Sequence, residues 1–234
     1  MSTVEARVSR RERLRAEAAQ EIKTIAVRLM AEGGPSAISL RAIAREMGMT
    51  AGALYGYYAT RDDLVTELIA DVYIALADAE EKARDAVPRD DTVGRVLAVG
   101  GAFREWAIGH PEEFQLIYGD AVPGYQAPEG GAAVEAEQRA CAVLTGLVAD
   151  AWPHVANAGD FAWSDFVPGF AEMIRASFPD LPPEAVALAM RMWGRMHGLV
   201  SLEVYGHLRP QVTDPAKLYR AELLDMITTL GLTP

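Results

Sequence analysis

The residue types that most often perform catalysis or bind metals are few and scattered in this sequence. The four histidines stand at positions 110, 154, 197 and 207, and Cys141 is the only cysteine. A single cysteine excludes an intrachain disulfide and leaves no thiol cluster for zinc. The sequence contains neither His-Glu-x-x-His nor a glycine-rich phosphate loop after a strand. We therefore expect no enzyme activity, no metal site and no cofactor.

A different chemistry is indicated between Leu40 and Tyr55, where the pattern predicts two short helices, 39–47 and 51–58, around a tight turn. Ala44 is small at the point where the second helix would press on the first, and Gly48 can adopt positive φ at the turn. The side chains expected to face inward are Ile43, Met47 and Leu54. This spacing is typical of a helix-turn-helix, whose second helix enters the major groove of DNA.

The same stretch and its surroundings contain four further recognisable motifs: Ser39-Leu40-Arg41-Ala42-Ile43-Ala44, Gly48-Met49-Thr50, Leu54-Tyr55-Gly56-Tyr57-Tyr58 and Arg61-Asp62-Asp63-Leu64. Together these motifs resemble the DNA-binding domain of TetR/AcrR-type transcriptional regulators. Further along, Trp193, His197 and Gly198 are similar to the Trp-x-x-x-His-Gly pattern of the WHG-type domain found in such regulators. The resemblance implies a transcriptional regulator that binds DNA, a small-molecule effector and a second copy of itself.

The resemblance assigns contact roles to individual residues. Arg41 matches a position that reaches a base edge or a phosphate, and Arg61 stands where the family has a phosphate-binding lysine. The hydroxyls of Thr50, Tyr55 and Tyr57 suit phosphates, and Tyr57 replaces the family's usual histidine. Because the helix 51–58 has no charged residue, discrimination between bases is expected from Thr50 and from small side chains that admit thymine methyl groups. The predicted DNA-binding residues are Arg41, Thr50, Ala51, Gly52, Tyr55, Tyr57 and Arg61.

The charge distribution agrees with contact to a polyanion at one end of the chain only. Residues 1–61 hold ten Lys or Arg against six Asp or Glu, a balance of +4, whereas residues 62–234 hold twelve against twenty-seven, a balance of −15. Arg7, Arg10, Arg11, Arg13 and Arg15 precede the predicted first helix and form either an arm toward DNA or a solvated end. The longest stretch without charged residues has 14 residues, too short for a membrane span of about 20, so we expect a cytoplasmic protein without membrane contact.

The patterning predicts an all-α fold, with a three-helix DNA-binding domain at 1–62 and a larger helical domain at 63–234. Helices are expected near 61–85, 92–109, 111–119, 132–152, 163–178, 183–208 and 214–231, and Pro168 either kinks the helix 163–178 or delays its start. The last two helices are candidates for a homodimer interface on a palindromic operator.

The resemblance also implies an effector pocket in the larger domain, with a ligand of unknown identity. Its candidate lining residues are Trp106, Phe114, Phe166, Phe170, Trp193 and His197. The sequence thus predicts a DNA-binding regulator, with repression relieved by a small molecule. The alternative is an all-α ligand-binding or interaction protein without operator-specific DNA binding.

Overall fold

The computed structural model describes residues 9–119, 122–128 and 130–233, and these residues form α-helices and connecting turns without a β-strand. The N-terminal helices are α1 (Arg10–Gly33), α2 (Leu40–Glu46), α3 (Ala51–Leu54) and α4 (Arg61–Asp85). The later helices are α5 (Thr92–Gly109), α6 (Pro111–Tyr118), α7 (Ala132–Ala151), α8 (Pro168–Ser177), α9 (Pro183–Val204) and α10 (Pro215–Thr229). The fold is therefore all-α, as the sequence predicts.

The chain divides into two compact units. The N-terminal unit contains the described residues up to Val72 together with Glu112–Val134, and the C-terminal unit contains Tyr73–Pro111 together with the described residues from Glu135 onward. Five side chains without exposed surface mark the core of the N-terminal unit: Ile22, Ile43, Leu54, Leu64 and Phe114.

Helix α1 begins earlier than the arginine-rich segment suggested. Ser9 and Glu12 form a capping box, in which each side chain accepts a hydrogen bond from the other residue's backbone N–H. This cap satisfies donors that a free helix end would leave unpaired. Arg10, Arg11 and the two arginines that follow therefore lie within the first helix, not before it, and Arg7 lies outside the described residues.

The helix-turn-helix has the predicted turn but shorter helices. Gly48 adopts φ +65 between α2 and α3, where a β-carbon would be strained, and Ala44 beside it is 2% exposed. Ser39 occupies the N-cap position of α2, but its side chain makes no capping hydrogen bond. Helix α3 ends at Leu54, not near Tyr58, because the Gly56 and Tyr57 amides bond to carbonyls three residues back, at 3.2 and 2.8 Å.

Helix α4 begins as the sequence predicts. The amide of Thr60 donates to the Asp63 carboxylate at 2.9 Å, and the amide of Asp63 donates to the Thr60 hydroxyl at 3.0 Å. Lys23 on α1 then pairs with two carboxylates of α4, Asp71 at 2.5 Å and Glu67 at 3.1 Å. These contacts fix the start of α4 against the helix that supports the helix-turn-helix.

In the C-terminal unit, helices α5, α9 and α10 pack against one another. Gly100 on α5 lies so close to α10 that a β-carbon added there would stand 2.5 Å from a methyl carbon of Leu223. The Tyr219 hydroxyl donates to the Gly100 carbonyl at 3.0 Å, and Arg104 forms a two-point ion pair with Glu203 on α9. Proline 168 delays the start of its helix, so that α8 begins at residue 168 after a short 3₁₀ turn at Trp163–Asp165.

Candidate nucleic-acid interface and effector region

The exposed face of the helix-turn-helix holds most of the predicted DNA contacts. Arg41 on α2 is exposed, and so are Thr50, Ala51 and Gly52 at the start of α3. The Tyr55 side chain, at the end of α3, is 48% exposed. Beneath them Ile43 and Leu54 are fully buried. The packing thus keeps the apolar side of both helices inside and leaves the predicted contact residues accessible.

Thr50 both caps α3 and presents a donor. Its hydroxyl oxygen accepts a hydrogen bond from the Ala53 amide at 3.2 Å. The hydroxyl hydrogen is not used by that bond, and it can donate to a phosphate oxygen. The backbone amides at the start of α3 lie beside it, and the beginning of a helix favours a negatively charged ligand.

Gly52 leaves open space at the centre of this face. A β-carbon added there would meet no atom within 4 Å, and the residue has no positive φ. The absence of a side chain is therefore not required by the packing of the helix. It permits close approach of the α3 backbone to a ligand surface.

Tyr57 is held by an arginine of α1. The guanidinium of Arg15 lies over the Tyr57 ring, 5.1 Å from its centroid, and donates to the Gly56 carbonyl at 2.7 Å. A cleft at this point is lined by Arg10, Arg11, Leu14, Arg15 and Tyr57. The arginines at the start of α1 and the turn after α3 thus form one positively charged surface. The sequence alone did not decide whether these arginines lie near the helix-turn-helix.

Arg61 lies in a different setting from the one that the sequence suggests. Its guanidinium donates to three backbone carbonyls: Ile38 at 2.9 Å, Pro35 at 2.9 Å and Pro123 at 3.0 Å. Arg61 thereby ties the start of α4 to the α1–α2 connection and to the segment after α6. The phosphate contact assigned to it by resemblance stays a prediction, and the three carbonyls give it a structural role in addition.

The segment bound by Arg61 is a tight turn. The Tyr125 amide donates to the Val122 carbonyl at 3.0 Å, with Gly124 at φ +77 as the third residue of the turn. The Tyr125 hydroxyl lies 3.0 Å from the Thr66 hydroxyl of α4, and Val122 is 4% exposed. Sequence reasoning missed this attachment, because no local pattern indicates which turn lies beside Arg61.

The residues predicted to line an effector pocket differ widely in exposure. Phe114 is fully buried in the N-terminal unit. In the C-terminal unit, Trp106 is 7% exposed, whereas the Trp193 side chain is 41% exposed. Phe166, Phe170 and His197 are half-buried.

Ring contacts join several of these residues to neighbours four positions away. Trp106 stacks on His110 at 5.6 Å, and Trp193 lies 5.1 Å from His197. Phe166 lies 6.0 Å from Phe170. Burial lowers the pKa of His197, so its ring is neutral at neutral pH and can donate one hydrogen bond and accept another. The pocket assignment stays a prediction for all six residues.

Comparison with known proteins gives this arrangement a family. Residues 24–68 match the model of bacterial regulatory proteins of the tetR family, and residues 96–226 match the model of the tetracyclin repressor-like C-terminal domain. The chain belongs to the TetR family. The first match contains the helix-turn-helix, and the second contains Trp193, His197 and Gly198.

Relatives of this TetR-family chain extend over nearly its whole length. Across 233 residues it is 33% identical to the HTH-type transcriptional regulators Rv1816 of Mycobacterium tuberculosis and Mb1846 of Mycobacterium bovis, with 96% of this chain and 97% of each relative covered. The crystal structure of SCO4313, a proposed regulatory protein, has a TM-score of 0.76 at 34% identity and covers 94% of this chain and 100% of that one. A tetR-family protein from Rhodococcus, with a TM-score of 0.64 at 17% identity over 93% of this chain and 99% of that one, shares the fold.

The TetR-family chain is thus a transcriptional regulator with a DNA-binding domain, and not an enzyme. Within the described residues, no group of three or more His, Cys, Asp or Glu side chains is placed to hold a metal ion. Over the same part of the chain, no helix is long and apolar enough to cross a membrane.

Proposed function

We propose that this regulator is a homodimeric repressor, that it binds a palindromic operator in double-stranded DNA, and that a small-molecule effector releases it. The observation that supports operator binding best is the exposed, uncharged start of α3, which stands beside the exposed Arg41 of α2. An uncharged recognition helix selects bases by shape and by apolar contact, while flanking arginines and hydroxyls hold the phosphates. We assign residues 1–62 to DNA binding and residues 63–234 to effector binding and dimerisation.

Each contact residue has a role within this proposal. Thr50 donates its hydroxyl hydrogen to a phosphate while it caps α3, and Tyr55 and Tyr57 donate to phosphates on either side. Ala51 and Gly52 face the bases, where their small size admits a thymine methyl group. Arg41 contacts a base edge, for which the paired nitrogens of guanidinium suit guanine. Arg61 supports this surface through its three carbonyl contacts and is available to phosphates only in part.

An exposed apolar face on α9 supports the homodimer. Its large exposed apolar side chains include Met190, Leu202 and the C-capping Tyr205, which fall within about 120° of the helix circumference, while the exposed Trp193 lies about 60° outside that arc. Gly194 and Gly198 lie on the same face, and an added β-carbon would meet nothing within 4 Å at either position. Exposed apolar side chains that cluster on one side of a helix favour an interface, and two glycines let a second helix approach closely. A two-fold pairing through this face gives each half of a palindrome its own recognition helix.

Effector release follows from a difference in affinity between two arrangements of the dimer. In the DNA-binding arrangement the two recognition helices stand about 34–36 Å apart, one turn of B-DNA. A ligand lowers DNA affinity only to the extent that it prefers another arrangement. A hundredfold release requires a preference of about 2.8 kcal/mol. The aromatic residues of the C-terminal unit are our candidates for the ligand contacts, and the regulator acts on its DNA in the cytoplasm.

Binding of the full chain to promoter fragments across a salt series tests this function. The proposal predicts tight, sequence-dependent binding whose affinity falls steeply as salt rises, because Lys and Arg displace counterions from the phosphates. Arg41→Ala is expected to change the preference among operator variants, whereas Arg61→Ala is expected to weaken all of them similarly. Feeble binding that is equal on every fragment would favour the alternative, an all-α interaction protein without an operator. Equal loss on all operator variants for both substitutions would remove the base contact of Arg41.

A further inference from the structure

A cleft in the C-terminal unit is lined by none of the residues that we assign to DNA, effector or dimer contacts. It has a volume of about 500 Å³ and is formed by the end of α4, the turn before α5, the first turns of α5 and the end of α7. Its lining residues are Arg84, Asp85, Arg89, Thr92, Arg95 and Asp150. No assigned function of the chain uses these residues.

The charge of this cleft is opposite to that of its surroundings. Residues 62–234 carry a balance of −15, yet the cleft holds three arginines against two aspartates. The three arginines act on a common neighbour: the Arg84 hydrogen bond is the main reason why the pKa of Asp85 is lowered, and Arg95 and Arg89 lower it further. Positive charge is therefore concentrated here in a part of the chain that is otherwise acidic.

Arg95 is the buried member of the cluster. It is 8% exposed, and one terminal nitrogen of its guanidinium donates to Asp150 at 3.0 Å. Its Nε is buried and has no hydrogen-bond partner among the described residues. Asp150 is 51% exposed and makes a single contact with this guanidinium, so the buried charge is incompletely compensated.

The remaining donors of the cleft are accessible. Two guanidinium nitrogens of Arg84 donate to Asp85, at 2.8 and 3.1 Å. The other N–H groups of this guanidinium can still donate to a ligand. Arg89 lies in the turn before α5 and is exposed. Thr92 is the first residue of α5, and the Asp91 carboxylate caps the beginning of this helix by accepting a hydrogen bond from the Gly94 amide at 2.7 Å.

We propose that this cleft binds a small molecule through a phosphate-type oxyanion, specifically a phosphate or diphosphate group. Guanidinium forks match the geometry of phosphate oxygens and bind them through paired hydrogen bonds. The two aspartates already occupy one side of Arg84 and of Arg95, so a ligand must supply several oxygens and more than one negative charge to engage all three arginines. A diphosphate meets both requirements, and a single carboxylate meets neither.

The test is calorimetric titration of the full chain with inorganic pyrophosphate, at constant ionic strength and without DNA. We expect saturable binding that Arg89→Gln weakens by about tenfold or more, because an exposed, charge-assisted contact is lost without disturbing the core. Arg220→Gln, which removes an exposed arginine of α10, is the matched control and should change the affinity less than about twofold. Absence of saturable binding, or equal binding by the Arg89→Gln variant, would overturn the proposal.

Two further titrations distinguish this cleft from other possible sites and ligands of pyrophosphate type. The basic surface at Arg10 and Arg11 is a competing site for pyrophosphate. The proposal therefore requires that the double variant Arg10→Gln/Arg11→Gln still binds pyrophosphate. If the double variant lost binding while Arg89→Gln retained it, the proposal would be overturned. Adenosine diphosphate distinguishes the ligand source: tighter binding than pyrophosphate assigns the cleft to an organic diphosphate, and weaker binding assigns it to the inorganic ion. Because no DNA is present, the outcome is independent of the proposed operator binding.

Discussion

The guanidinium of Arg15 lies 5.1 Å from the centre of the Tyr57 ring and at the same time donates to the Gly56 carbonyl at 2.7 Å. One side chain of α1 thus fixes both the backbone and the aromatic ring that follow the recognition helix. This contact links residues 42 positions apart in the sequence, and it orients a hydroxyl that we assign to a DNA phosphate.

Replacement of Arg15 should weaken DNA binding more than replacement of another exposed arginine nearby. In Arg15→Gln the ring of Tyr57 loses a cation–π contact of about 0.5–1 kcal/mol, and the Gly56 carbonyl loses a charged donor. We expect operator affinity, measured by fluorescence anisotropy, to fall about tenfold. The control is Arg13→Gln, since Arg13 is similarly exposed and pairs with Glu17 one turn further along α1. Equal losses of operator affinity in both variants would show that Arg15 contributes only its positive charge, and not its contact with Tyr57.

The three carbonyl contacts of Arg61 predict a loss of stability when the side chain is shortened. Arg61→Ala removes hydrogen bonds to Pro35, Ile38 and Pro123, and we expect the free energy of unfolding to fall by about 2–4 kcal/mol. Arg61→Lys keeps the charge but reaches fewer carbonyls at once, so an intermediate loss is expected. Urea denaturation measures both. Unchanged stability combined with a loss of DNA affinity would instead support a role for Arg61 at phosphates alone.

Local patterns predicted most of the helices because helix ends are encoded by nearby residues. The Thr60–Asp63 capping box, the positive φ of Gly48 and the late start of α8 at Pro168 all follow from such signals. The local patterns gave wrong helix ends at two places, where hydrogen bonds between neighbouring residues extend or shorten the helix. The capping box of Ser9 extends α1 over the arginines, and the bonds that follow Leu54 end α3 early.

The sequence does not predict which residues distant along the chain lie next to one another in the fold. Nothing near Arg61 indicates that the carbonyl of Pro123, 62 residues later, accepts one of its hydrogen bonds. Apolar identity likewise does not distinguish Phe114, which is fully buried, from Trp193, which is 41% exposed on α9. Both were predicted to line a pocket, although burial is set by the packing of helices distant in sequence.

Two adjacent glycines of α5 should respond oppositely to alanine. At Gly100 a β-carbon would stand 2.5 Å from the buried Leu223 side chain, whereas at Gly101 it would meet nothing within 4 Å. Gly101→Ala gains up to about 1 kcal/mol of helix propensity. Gly100→Ala gains the same helix propensity, but overpacking against Leu223 costs about 1–3 kcal/mol. The free energy of unfolding of Gly100→Ala should therefore be lower than that of Gly101→Ala by about 1–3 kcal/mol. Thermal or urea unfolding of the two variants is decisive, and equal stability would mean that Leu223 moves aside without cost.

The buried Glu80 predicts a stability that depends on pH. Burial, with a smaller effect of Glu81, raises the pKa of Glu80 to about 8 from its ordinary value of 4.5. The unfolded chain releases this proton near pH 4.5, and the folded chain retains it until about pH 8. The stability due to this group is therefore full below pH 4.5, declines as the pH rises, and is lost above the folded pKa.

Glu80→Gln removes the titrating group and keeps a neutral side chain of the same size. Urea denaturation between pH 5 and pH 8.5 should show that the unmodified chain loses stability relative to the Gln variant as the pH rises. Tyr219 and Cys141 also interact electrostatically with Glu80, but burial raises the pKa of Tyr219 and the neighbouring carboxylates of Glu137 and Glu80 raise that of Cys141, so both stay protonated over this range. Parallel stability profiles for the two chains would show that Glu80 is ionised at neutral pH.

The most direct measurement of whether the start of α3 contacts DNA is operator binding by Gly52→Glu. The added side chain projects into open space, so the fold and its unfolding temperature should be unchanged, while a carboxylate enters the surface that we place against the bases. The control is Gly169→Glu, which adds the same charge at an exposed position of α8 that is equally open. We predict that Gly52→Glu lowers operator affinity by about a hundredfold or more and that Gly169→Glu changes it less than about threefold. Unaltered affinity in a folded Gly52→Glu variant would contradict the account, because α3 could not then lie in the groove.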